Sequence, residues 1–129
     1  MKVKTFTGVN GAYLTVYVLL RLGRLSVCVH HFHRGDEDRD CHDHPFSFLS
    51  IVFRGQYREH FYNGAYMDRG VFSARFRSSL HRHRIELLRK PCWTLCIKAA
   101  ANREWGFWPD DGFVPWREYL RSKGLTPIE

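Results

Sequence analysis

From residue 13 onward the chain alternates short apolar runs, rich in β-branched and aromatic residues, with turn residues. Residues 13–22 read as a strand, Gly23-Arg24 as a turn and residues 25–32 as its hairpin partner. Residues 46–53 predict the next strand, Arg54-Gly55 its turn, and residues 56–62 the returning strand. Asn63-Gly64 and Arg69-Gly70 mark further turns. Strands over 71–76 and 80–88 follow. A turn at Arg89-Lys90-Pro91 leads to a strand over 92–100, with Trp93, Leu95 and Ile97 on one face. Residues 103–108 predict a short last strand and residues 109–112 a turn. Pro115 at a helix start, then Trp116, Tyr119 and Leu120 at helical spacing, predict one closing helix to about Lys123, ended by Gly124. Some eight short strands with close turns and one terminal helix predict an all-β barrel or jelly roll, in a single domain over residues 1–129.

Composition agrees with that class. At 44% hydrophobic and 16% aromatic, the chain can bury a core and is not disordered. No apolar run approaches a bilayer span, and Met1-Lys2-Val3-Lys4-Thr5 leads into no signal-peptide apolar region, so the expectation is a cytoplasmic protein with no membrane role. The 4 cysteines (Cys28, Cys41, Cys92, Cys96) are scattered and predict reduced thiols. A net charge of +7 favours anionic partners: phosphorylated metabolites, carboxylates or nucleic acid. The arginines are spread along the chain, however, and several read equally well as a solvated face.

The candidate chemistry lies in the His-x-His pairs His42/His44 and His81/His83, in a chain of 8 histidines. On an extended chain alternate side chains share a face, so His42 and His44 point the same way. Two imidazoles at that spacing can grip one Fe, Ni, Cu or Zn ion, given at least one further ligand. The second pair offers it about forty residues later, with His81, His83, Ile85 and Leu87 on one strand face. Taken singly, each histidine reads more readily as a core or surface residue than as a ligand. Other patterns are weaker. Asp36, Asp38 and Asp40 are spaced like a calcium loop, but Cys41 stands where glycine is needed and Ser47 where glutamate is needed. Cys92 and Cys96 are one residue too far apart for a zinc deaminase, and burial is preferred over a structural zinc site. Cys41 points away from the histidines by alternation. Trp93, Trp105, Phe107, Trp108 and Trp116 beside Arg103 and Arg117 could stack nucleobases, with core packing the preferred reading.

These residues resemble the cupin superfamily. Its first motif is matched by His42-x-His44 and the closing Gly55, with Phe48 in the glutamate position and Gly35 one residue out of place. His83 resembles the metal-binding histidine of the second motif, with His81 as the substitute. More narrowly, the chain is similar to small cupin-like proteins of bacteria and their phages. The carrying segments are His42-Asp43-His44-Pro45, Gly55-Gln56-Tyr57-Arg58-Glu59, His83-Arg84-Ile85 and Trp105-Gly106-Phe107. The resemblance covers roughly residues 13 to 120. It implies a double-stranded β-helix with a divalent metal, iron(II) first and Zn, Ni or Mn as alternatives, held by His42, His44 and His83 at the barrel mouth. By analogy with three-histidine cupin dioxygenases it also implies oxygenase chemistry, with an isomerase or lyase second. Phe48 would dry one wall of the site, Ser50 would hydrogen-bond a ligand or water, and Glu59 would restore a carboxylate or pair with an arginine. Tyr57, Arg77 and Arg103 are candidates for meeting an anionic small-molecule substrate. The competing class is a non-catalytic module that binds a nucleotide, nucleic acid or protein. A homodimer is a further expectation, with residues 13–32 as the contact.

Overall fold

The computed structural model describes residues 1–8, 11–35 and 40–123. Ten strands and one helix run in the order β1 (Lys2–Gly8), β2 (Gly11–Leu22), β3 (Leu25–Phe32), β4 (Cys41–His42), β5 (Phe48–Phe61), β6 (Tyr66–Arg69), β7 (Ala74–Arg77), β8 (His83–Lys98), β9 (Gly106–Trp108), β10 (Val114–Pro115) and α1 (Trp116–Ser122). Among the described residues these strands pair antiparallel throughout.

Two long strands organise the barrel. The second half of β8 lies between β3 and the first half of β5, and β2, β1 and β7 extend that layer outward. The first half of β8 pairs with the second half of β5, with β6 beyond β5 and β4, β9 and β10 beyond β8. Both layers therefore share β5 and β8, which bend together from one into the other. The register between them slips three times between Val52 and Tyr57. At the bend Gly55 has φ +83°, and a Cβ there would run into the carbonyl oxygen of Pro91 and come within 2.8 Å of that of Arg89. A glycine and a proline facing each other across a bulge are the residues a barrel corner requires.

This corrects two sequence expectations. Arg54-Gly55 and Arg89-Lys90-Pro91 are not hairpin turns; each is a kink inside a continuous strand, because β5 and β8 continue to pair on both sides of it. The hairpin of β2 and β3, the turn closed by Gly112 N–H on Pro109 O (3.0 Å) and the closing helix follow the expected pattern. Strands β1, β4, β6 and β10 were not anticipated, and β7, β8 and β9 each begin three residues later than expected. The helix stop at Gly124 and the acidic stretch 36–39 lie outside the described residues.

Alternation decides what fills the barrel. Cys28, Cys92, Thr94, Cys96 and Val52 point inward and are almost fully buried. Trp93, Leu95 and Ile97 point outward and remain partly exposed. Val52, Tyr57, Ile85 and Cys92 form one core cluster; Val16, Cys28 and Cys96 form a second. Burial of a side chain such as Val52 contributes about 2 kcal/mol. The helix docks on the rim through Tyr119, whose ring stacks 3.9 Å from that of Phe107, and Trp116, stacked at 5.7 Å on Trp105. All four cysteines are buried and reduced. No helix among the described residues is long and apolar enough to cross a membrane.

Candidate metal centre

Three elements meet at one point inside the barrel. β4 supplies His42, which pairs in register with His83 at the start of β8, and the segment after β4 supplies His44. The ring centroids of His42, His44 and His83 lie 4.8 to 5.1 Å apart, and one nitrogen from each falls within 4.8 Å of the others. Asp43, between the two histidines, turns the other way. Its carboxylate accepts from the Gly106 backbone N–H (2.7 Å) and Trp108 Nε1–H (3.0 Å) and pairs with Arg103 (2.8 Å). That anchorage ties β9 to the loop and brings Trp105 and Phe107 to about 6 Å from the His42 ring.

The nitrogens are oriented by what holds their opposite sides. His83 Nδ1–H donates to Glu59 Oε2 at 2.6 Å, and His42 Nδ1–H to the Asp43 carbonyl at 3.2 Å, which makes Nε2 the lone-pair nitrogen of each ring. A ligating histidine whose second nitrogen is fixed by a carboxylate is the usual arrangement around a metal. His44 Nδ1 is buried with no hydrogen-bonding partner, a situation that costs roughly 1–3 kcal/mol if nothing compensates it. Burial, then the neighbouring histidines, holds His44 well below its ordinary pKa. Burial likewise lowers His83 to about 4, against the opposing pull of Glu59. Neutral imidazoles are the form that binds metal. The donor set therefore fits a divalent cation.

A second group, Glu59, His81 and His83, also has metal-ligand spacing. Its chemistry argues for a different role. Glu59 is 1% exposed and both its oxygens are engaged: Arg69 on Oε1 (3.1 and 3.2 Å), Arg77 on Oε1 (2.6 Å) and Oε2 (3.1 Å), His81 on Oε2 (2.9 Å) and His83 on Oε2. Burial alone would raise its pKa, but hydrogen bonds from His81, His83 and Arg77 outweigh that and hold it well below the usual carboxylate range. Two guanidinium groups on this carboxylate oppose a further cation. Glu59 is thus both the cross-strand partner of arginines and the carboxylate behind His83.

The other sequence candidates distribute unevenly. Phe48 stands against His44 at 4.7 Å and forms a wall of the site. His81 precedes β8 and sits beside His83, with ring centroids 4.9 Å apart. Arg77 and Arg103, considered for substrate, are bonded to the buried carboxylates of Glu59 and Asp43. Tyr57 belongs to the core, and burial followed by the charge of Glu59 pushes its phenol up to about 12. Ser50 faces inward opposite Cys96, away from the histidine pair. Sequence reasoning passed over Asp43 and Arg69. The signal for Asp43 was its place between two inward histidines, which alternation sends to the opposite side.

No family model matches the sequence, and no curated protein matches it. Solved structures do. The chain is similar to a conserved protein with a double-stranded β-helix domain from Klebsiella pneumoniae, at 21% identity over 80% of this chain and 84% of that one, with TM-score 0.60. It is similar to Fe(II) HppE at 11% identity, covering 75% of this chain and 55% of that one, with TM-score 0.62. A structure from work on the DMSP lyases RdDddP and RnDddQII matches at 22% identity, covering 68% and 48%, with TM-score 0.56. The fold is therefore the cupin-type double-stranded β-helix with a short terminal helix. The chain spans about half the length of the HppE and DMSP lyase structures.

Proposed function

We propose that this chain is a metal-dependent cupin enzyme of oxygenase type, holding one divalent cation, iron(II) first, through His42, His44 and His83. Isomerase or lyase chemistry at the same centre is the second form of this reading. The observation that carries it is the convergence of three neutral imidazoles from two distant segments, one of them held from behind by a buried carboxylate. The likeness to Fe(II) HppE and to a structure from work on DMSP lyases supports enzyme chemistry on this fold. A metal held here supplies Lewis acidity and, as iron(II), one-electron chemistry toward O2.

The chain's own residues do the rest. Glu59 retains the Nδ1 proton of His83 and fixes that ring; Asp43 locks the loop carrying His42 and His44 to β9. Phe48, Trp105 and Phe107 wall the histidines with apolar surface, which limits water beside the reacting groups. The test is metal analysis of protein purified without a histidine tag and reconstituted anaerobically with iron(II). Near one equivalent in the wild type, lost in the His42→Ala/His44→Ala double variant, is the expected result. A wild type that folds but takes up no Fe, Zn, Ni or Mn refutes the proposal and favours the competing class, a binding module drawing on the +7 charge.

A further inference from the structure

The layer formed by β1, β2, β3, β8, β5 and β7 turns one face into the barrel and the other outward. An antiparallel sheet that meets water on one side is polar there. This one is apolar. Its central outward row, in register across the strands, is Val3, Tyr17, Val29, Leu95 and Ile51. The next is Leu20, Val27, Ile97, Leu49 and Phe76, continued at the β2–β3 hairpin by Leu22 opposite Leu25. On the other side of the central row, Trp93 has His31 stacked on it at 4.1 Å, with the rings of Tyr17 and Phe53 at 6.0 and 6.4 Å. Phe76 is 67% exposed, Leu22 59%, Val3 50% and Leu20 49%. Among the described residues no element packs over this face; α1 sits against β9 and β10.

In the neighbouring strands β3 and β8, Val27-Cys28-Val29 and Leu95-Cys96-Ile97 are apolar at both parities, the pattern of strands covered on both sides. Charge narrows what covers them. No Asp, Glu or Lys lies on these outward rows, and Arg54, in register with Trp93, stands at their end. A nucleic acid or acidic protein drawn by the net charge of +7 finds no cation in the middle of this face. The same face of a second copy brings no charge to desolvate. It also brings an equal twist, so the two sheets can pack aligned, about 10 Å apart. Size agrees. Six strands about 4.8 Å apart and three rows about 7 Å apart span roughly 500 Å². Two copies together reach the roughly 1,000 Å² that a specific contact requires. Residues 13–32 offer no free edge for pairing, because β2 lies between β1 and β3, and β3 between β2 and β8; what they offer is this face.

We propose that the chain forms a homodimer by packing the outward faces of this layer against each other, sheet on sheet, with Val29 and Leu95 near the centre and Leu20, Phe76 and Trp93 toward its borders. The contact does not depend on the metal-enzyme reading.

Sedimentation equilibrium of the full, tag-free chain at micromolar concentrations tests it. The wild type is expected at twice the 15.3 kDa of one chain. Leu20→Glu/Phe76→Glu places charges at two positions exposed in the single chain. It should weaken association at least a hundredfold and run as a monomer with wild-type circular dichroism. Leu20→Ser/Phe76→Ser, which adds no charge, should weaken it tenfold or more. Tyr66→Glu, on β6 in the other layer, should stay dimeric. The unfolding midpoint of the wild type should rise with protein concentration, and that of the glutamate pair should not. Three results overturn the proposal: a monomeric wild type, wild-type association in either folded double variant, or a dimer lost in folded Tyr66→Glu.

Discussion

Glu59 shows how one side chain serves both structure and chemistry. Its two oxygens gather four cationic or hydrogen-donating side chains around a carboxylate that is itself buried, while Arg77 and His81 reach toward the surface. Replacing it by glutamine leaves Arg69 and Arg77 without a counter-charge, and breaking a buried ion pair from one side costs about 3–5 kcal/mol. We expect Glu59→Gln to lose that much stability in urea unfolding and to bind metal roughly 10- to 100-fold more weakly, since the charged acceptor behind His83 becomes a neutral amide whose NH2 must also be placed among donors. Stability within 1 kcal/mol of wild type, on the scale of an exposed pair, would contradict this account. The sequence made the histidines legible because their spacing is a local property. Glu59 was only half legible: its arginine and histidine partners come from β6, β7 and the start of β8, and no local pattern announces that they converge.

At the scale of elements, alternation and turn residues located most strands but misread the two kinks. Gly55 and Pro91 look like turn residues because hairpins and barrel corners make the same demand: a positive φ, or a backbone position that donates nothing. Only the pairing of β5 with β8 on both sides of the kink separates the two cases. Gly55→Ala is the corresponding test. It imposes a side chain on φ +83° and drives its Cβ into the backbone of Pro91 and Cys92. The left-handed conformation alone costs about 1–3 kcal/mol, and the contact adds to it. Chemical denaturation should show a loss at or above the top of that range. An unchanged midpoint would mean that the corner is not held by this contact.

For the whole molecule, buried neutral imidazoles set the response to acid. His83, His44 and His30 all have folded pKa values depressed by burial, His83 to about 4. Their unfolded value is 6.5, so their contribution is fully present above that pH. As pH falls from 6.5 toward 4 the unfolded chain takes up protons the folded one refuses, and stability drops; His83 alone accounts for roughly 3 kcal/mol of this loss. Glu59, held below the ordinary carboxylate range, adds a second loss only below about pH 4.5. Urea midpoints of metal-free protein should therefore be level above pH 7 and fall steadily between pH 6.5 and 4. A level profile down to pH 5 would show that these rings are not buried neutral.

The shared pair of long strands also constrains the order of assembly. His42 meets His83 only after β8 has reached both β4 and the far half of β5, across separations of twenty to forty residues. Closing loops of that size is among the slowest steps a small domain takes. A cation that needs all three rings has nothing complete to grip until the nucleus has already formed. It slows the departure from the native state and leaves the approach to it almost untouched.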